Sequence, residues 1–160
     1  MTKTSGSRAN WNGKMFENFV YDNLVRNGFT YTDIKQLPLK NKEGSSKSFT
    51  SQFNLNKTIY GTKWMVDFLL YDSDINQYLV IECKWQQSPG SVDEKYPYLV
   101  TNIKEQSPYP CLILLDGDGY KPASKEWLLT QVDEKLIGVL SMSEFVKWFM
   151  SQDLFSTNQA

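Results

Sequence analysis

The chain contains no histidine at all. That absence removes Ser-His-Asp and Cys-His hydrolases, His-ligated zinc sites and imidazole acid–base chemistry. Cysteine is scarce: Cys83 and Cys111 stand far apart, each inside an apolar run, and two separated thiols cannot build a zinc ribbon. They are expected to be buried thiols of a reducing cytoplasm rather than a disulfide. No apolar run approaches the roughly 20 residues of a membrane span, and the N-terminus MTKTSGSRAN has no apolar core of a signal sequence. A soluble, cytoplasmic protein is the expectation. Any hydrolytic chemistry has to come from carboxylates, lysine and a hard cation with oxygen ligands.

What is present is enough for one packed domain. The 160 residues are 41% hydrophobic and 14% aromatic, which supports a folded core and argues against disorder. The domain is expected to span residues 11–152, between an N-terminal flexible arm over 1–10 and a C-terminal tail over 153–160. The formal net charge is only −1, but it is unevenly spread. Residues 1–66 carry 10 Lys/Arg against four acids, and residues 67–160 carry 7 against 14. Between Ile34 and Val66, Lys35, Lys40, Lys42, Lys47, Lys57 and Lys63 face only Glu43. Such a segment suits a phosphate backbone, and it equally suits a solvated loop.

Periodicity predicts the elements. Met15, Phe16, Phe19, Val20 and Leu24 recur at helical spacing over about 12–26, and Asn27-Gly28 supplies the stop. A short extended stretch near Thr30–Leu37 ends at Pro38, and 40–51 is expected to be a loop. A strand is expected over 53–60, with Gly61 as punctuation. Trp64–Tyr71 and Gln77–Gln86 look like two strands joined by the turn Ser73–Asn76, with Pro89-Gly90 as the stop. A helix over 91–106 is expected, with Ser91 and Glu94 as a capping box and Pro97 kinking it or delaying its start. Cys111–Leu115 is a short buried strand, Ser124–Val132 a helix, Leu136–Leu140 a strand, and Ser143–Met150 a closing helix capped by Ser141 or Ser143. This order predicts an α/β fold with a mixed β-sheet flanked by helices.

The chemistry concentrates in the 64–86 hairpin. Side chains alternate across a strand, so Leu79, Ile81, Cys83 and Trp85 share an apolar face. Tyr78, Val80, Glu82, Lys84 and Gln86 share the other, which turns from apolar to charged. With a four-residue turn, Asp67 falls opposite Glu82, their Cβ atoms about 4.5–5.5 Å apart. Two like charges opposed inside an apolar strand pair are destabilising unless something offsets them. A divalent cation shared by both carboxylates would do so, with Lys84 adding charge on the same face and orienting a water. A salt-bridged cluster with no catalytic role is the competing reading. It sits poorly with Trp64, Met65, Val66, Phe68, Leu69 and Leu70 around Asp67.

Val66-Asp67, a 14-residue gap and Glu82-Cys83-Lys84 together resemble the PD-(D/E)XK nuclease superfamily. The proline of that motif is Val66 here, which leaves the metal-binding aspartate in place. The resemblance implies a restriction-endonuclease-like core in which Asp67, Glu82 and the main-chain carbonyl of Cys83 bind Mg²⁺, with Mn²⁺ as a substitute. It implies that Lys84 positions the attacking water, that Gln86 is the glutamine often found after the lysine, and that Glu17 matches a helix glutamate near the metals. Glu17 fits a solvated position equally well. Asp116 and Asp118 read as loop chemistry, since Asp-Gly-Asp-Gly is a strong turn sequence. Lys40, Lys42, Lys47 and Lys63 are the candidate phosphate contacts. Tyr96, Tyr98, Lys95 and Lys104 could touch DNA but read first as packing and solvent face, and Trp11, Trp127 and Trp148 read as core.

The expected function is a Mg-dependent endodeoxyribonuclease, a homodimer making restriction-type double-strand cuts in DNA. Its rivals are a structure-specific nuclease of junctions, repair or transposition, and a non-catalytic DNA-binding module of the same fold.

Overall fold

The computed structural model describes residues 5–39, 45–87 and 93–151 of the chain, with side chains from Asn12 to Phe149. The expected tail over 153–160, the Pro89-Gly90 stop and Ser91 lie outside the described residues.

Among the described residues, six strands form one mixed sheet in sequence order: β1 (Thr30–Tyr31), β2 (Lys47–Lys57), β3 (Lys63–Asp72), β4 (Gln77–Trp85), β5 (Cys111–Asp116) and β6 (Leu136–Leu140). Strands β2, β3 and β4 make an antiparallel meander, while β1 joins β2, β5 joins β4 and β6 joins β5 in parallel. Among the described residues, four α-helices cover the two faces: α1 (Ser5–Arg26), α2 (Tyr96–Gln106), α3 (Pro122–Thr130) and α4 (Met142–Ser151). Phe16, Val20 and Leu24 of α1 and Phe145 and Phe149 of α4 bury one face with Phe68, Leu70, Leu79, Ile81, Leu112 and Leu114. Leu99, Val100 and Ile103 of α2 and Leu128 of α3 bury the other with Leu69, Val80, Ile113 and Leu115. Both faces of the central parallel strand β5 are covered, which is why it reads as an unbroken apolar run.

Several boundaries differ from the sequence reading, each for a physical reason. Helix α1 begins at Ser5, inside the segment expected to be a flexible arm, because Ser5–Asn10 offers no apolar repeat from which a helix could be read. Met15 is half-exposed, so the buried stripe is Phe16, Val20 and Leu24. The helix ends as expected: Gly28 takes φ of 88°, and the Phe29 N–H donates to the Leu24 carbonyl at 3.1 Å. Strand β1 is only two residues long. Lys47–Ser51, expected in a loop, are the first half of β2, where Ser48, Phe49 and Thr50 are buried. A Lys/Ser-rich composition hid a strand whose polar side chains are enclosed by neighbouring strands. Helix α2 starts at Tyr96 after a 3-10 turn at Asp93–Lys95, so Pro97 lies in its first turn and delays the start instead of kinking it. Ser141 caps α4 in a reciprocal box with Glu144: the Glu144 N–H donates to Ser141 Oγ, and the Ser141 N–H to Glu144 Oε1. Trp127, expected in the core, is 38% exposed, whereas Trp148 packs against the α4 side of the sheet.

Candidate functional site

The pairing of β3 with β4 opens just where the carboxylates lie. The ladder runs from Asp72–Gln77 to Phe68–Ile81 in the register expected from the four-residue turn, and there it stops. Beyond Ile81, β4 stays paired with β5 as far as Trp85–Asp116. The two strands therefore fork, with Asp67 on one prong and Glu82 one step past the last pair on the other. In place of the missing ladder bonds, the Cys83 N–H donates to Asp67 Oδ2 at 2.7 Å and the Asp67 N–H donates to Glu82 Oε1 at 3.3 Å. Each carboxylate thus takes a main-chain donor of the opposite strand.

The other side of Asp67 is irregular as well. Pairs Ser51–Phe68 and Phe53–Val66 flank a gap in the β2–β3 ladder at Gln52. Gln52 has φ of 48°, a left-handed conformation that few non-glycine residues adopt, and its side chain donates to Asp67 Oδ1 at 3.4 Å. Phe49 and Phe68 face α1, whereas Phe53, Trp64 and Val66, beyond the irregularity, join the cluster beneath α2. The sheet turns over at Asp67, and the opening beside it follows. Gln52 was missed by the sequence reading, which had no glycine or proline to mark the position.

Glu82 is 3% exposed and pairs with Lys84, Nζ to Oε2 at 3.3 Å. Burial pushes the Glu82 carboxyl up to about 7; Lys84 opposes that shift and the charge of Asp67 adds to it. For Lys84, burial works against the charge, but Glu82 and Asp67 outweigh it and hold the ammonium above its ordinary value. Packing of Phe16 edge-on against Trp85, centroids 5.8 Å apart, seats α1 on β4 and brings the next residue, Glu17, to the same place. The Glu17 carboxyl is pushed up to about 7 by burial, by a hydrogen bond with Asp67 and by the Asp67 charge. Among the described residues no three His, Cys, Asp or Glu side chains are gathered as a metal-holding group. The donor set nevertheless fits a hard divalent ion: hydrogen-bonded carboxyl oxygens, a buried carboxylate whose charge is only partly offset, and no soft or imidazole ligand.

The remaining sequence candidates are placed as follows. Gln86 is buried and fully engaged: its Oε1 accepts from Tyr96 Oη at 2.7 Å, and its Nε2 donates to Asp93 Oδ2 and the Gly119 carbonyl, each at 3.2 Å. It ties the end of β4 to α2 and to the 116–119 turn. Gly117, at φ of 101°, lets that turn approach so closely that an added Cβ would lie 2.2 Å from the Gln86 carbonyl oxygen. Asp116 accepts from the Gly117 and Met142 N–H groups, so it organises the turn and the start of α4. Asp118 is exposed on the same turn. Lys40 and Lys42 lie outside the described residues. Lys47 is not in a loop: its ammonium stands over the Phe29 ring, 5.8 Å from the centroid, and its register partner is Asp72. Asp67 stands five positions from that end of the hairpin, so Lys47 does not adjoin the carboxylates. Lys63 is exposed at the opposite end. Cys83 and Cys111 are free thiols. No helix of the described residues is long and apolar enough to cross a membrane.

The family model of the PD-(D/E)XK nuclease superfamily domain matches residues 8–152. Among solved structures, the chain is similar to MunI restriction endonuclease in complex with cognate DNA, at 12% identity over 70% of this chain and 82% of that one, with a TM-score of 0.40. No curated protein matches the chain.

Proposed function

Since the chain belongs to the PD-(D/E)XK nuclease superfamily, we propose that it is a divalent-metal-dependent endodeoxyribonuclease with Asp67, Glu82 and Lys84 as its catalytic centre. The observation that carries the reading is the fork between β3 and β4. It places two carboxylates, one of them buried, beside an ammonium at the point where the sheet opens. Nothing in the packing of an ordinary sheet requires that cost in like-charge repulsion.

Asp67 and Glu82, with the main-chain carbonyl of Cys83, would hold Mg²⁺, or Mn²⁺ in its place. When bound, the ion supplies Lewis acidity that lowers the pKa of a coordinated water and offsets charge at the phosphate. Lys84 remains protonated beside Glu82, so its role is to orient the attacking water and to stabilise the charge that gathers on the phosphate oxygens. Glu17 adds a third carboxyl to the Asp67 side. Gln86 fixes the β4 end of the site through Tyr96, Asp93 and Gly119.

The substrate we propose is double-stranded DNA cut in restriction-type fashion. Each chain carries one such centre, so cutting both strands of a site is best served by a homodimer. Free Cys83 and Cys111 support a cytoplasmic setting.

Cleavage of linear duplex and of four-way branched DNA, each with Mg²⁺ or Mn²⁺ and with chelator, tests the reading. Discrete, metal-dependent fragments from linear duplex support it. Cutting confined to the branched DNA replaces it with a structure-specific nuclease. Binding without cutting of either substrate leaves a binding module.

A further inference from the structure

A cavity of about 270 Å³ adjoins Glu82, bounded by Glu82 and Lys84 on β4, Trp64 and Met65 on β3, Lys95 in the 3-10 turn, and Tyr98 and Leu99 at the start of α2. Its size is near the lower end of ligand pockets, which run from roughly 300 Å³, so it suits one ring system and not a dinucleotide. Two large apolar side chains near it are left in water: Met65 is 46% exposed and Tyr60 is 77% exposed. Tyr60 stacks on Tyr98, centroids 5.2 Å apart and planes at 21°, which presents an aromatic platform to the solvent. Tyr60 is held there at the β2–β3 turn by its N–H donating to Thr58 Oγ1 at 3.2 Å.

Charge is arranged around the same place. Lys57 and Lys63 are paired directly across the hairpin beside Tyr60, and among the described residues neither forms an ion pair. Like charges directly opposed across a ladder are destabilising unless an anion lies between or near them. Lys95 adds a third cation from the 3-10 turn before α2. An aromatic platform, a one-ring cavity and unpaired ammonium groups together match a base and its flanking phosphates, since base stacking on aromatic rings combined with a basic track is how single nucleotides are held.

We propose that this cavity takes one nucleobase, unpaired from the duplex, next to the phosphodiester held at Glu82 and Lys84. Tyr98, backed by Tyr60, stacks on it, and Lys57, Lys63 and Lys95 take the phosphates on either side. The inference rests on the nuclease reading and adds to it: the enzyme opens one base pair beside the bond it cuts.

Duplexes spanning a mapped cleavage position test this. In each, the base opposite one position is replaced by an abasic analogue, so that the facing base is left unpaired without being changed. Binding is measured with Ca²⁺ and cutting with Mg²⁺, for the wild type, Tyr98→Ala and Tyr98→Phe. At one position near the cut, removing the partner base should tighten wild-type binding by about tenfold or more, because the unpairing cost has been removed. Tyr98→Ala should lose most of that gain and Tyr98→Phe should keep it, while both hold the wild-type melting temperature and its metal-dependent rise. If the wild type cuts but no position tightens, or if Tyr98→Ala gains as much as the wild type, the pocket is not a base site and the nuclease reading stands. If the wild type neither binds nor cuts any duplex, the nuclease reading fails and the pocket proposal falls with it.

Discussion

Glu82 and Lys84 occupy one face of a single strand, two residues apart, yet they answer to different demands. Burial pushes the Glu82 carboxyl up to about 7, whereas for Lys84 burial is outweighed by Glu82 and Asp67, which hold the ammonium above its ordinary value. Lys84→Ala should leave the fold intact and lower the cleavage rate by about 10²-fold or more, as expected for a group that positions and polarises the reacting water. Glu17→Gln keeps the shape of a side chain that reaches Asp67 from α1. It should cost about 10–100-fold in rate or metal affinity, the usual effect of a group acting on a ligand. A Glu17→Gln variant with wild-type rate and metal affinity would return Glu17 to an ordinary packing role. Asp67, Glu82 and Lys84 were legible in the sequence because alternation and a four-residue turn fix the register. Gln52, Asp93 and the capture of Gln86 were not, since each depends on contacts between segments distant in the chain.

At the scale of elements, the helices were read well wherever an apolar stripe exists and poorly where it does not. The Phe16, Val20, Leu24 stripe located α1, but the turns before it carry no such signal, and β2 was half hidden by lysine and serine. The same distinction predicts stability. Ile103 is fully buried between α2 and the sheet, so Ile103→Ala should cost about 2–5 kcal/mol. Met15→Ala, on the exposed side of α1, should change stability by no more than about 0.5 kcal/mol. Urea denaturation of the two variants reads the contrast directly. Gly117 is a sharper case, combining φ of 101° with a backbone oxygen 2.2 Å from the position of a Cβ. Gly117→Ala should destabilise by at least about 2 kcal/mol and reduce cleavage, because the Gln86 end of β4 must shift to relieve the contact.

The whole molecule is a sheet covered on both sides and opened at one point, and part of its acid stability is set by carboxyls away from that opening. Burial works to raise the carboxyl of Asp133, but the N–H groups of Leu136 and Lys135 and the ammonium of Lys104 outweigh it and hold the carboxyl below 3.8. Glu144 is held below 4.5, chiefly by the Ser141 N–H. Groups with depressed folded-state values contribute stability above their ordinary range and lose it as pH falls through the folded-state values. The melting temperature should therefore fall as pH drops from about 4.5 through 3.8 and below, and Asp133→Asn should flatten part of that slope. A variant with an unchanged acid limb would mean that the Asp133 contacts do not survive in solution. The sheet order and the pairing of helices with faces were only partly foreseeable, because composition does not state which helix covers which side. The central claim is that the fork between β3 and β4 is a metal-dependent nuclease centre. Incubating supercoiled plasmid with purified protein and Mg²⁺, beside Lys84→Ala of equal melting temperature, tests it most directly. The account predicts nicked and linear DNA from the wild type, none with chelator, and about 10²-fold less from the variant. Equal cleavage by wild type and variant, or none by either with Mg²⁺ or Mn²⁺, would contradict it.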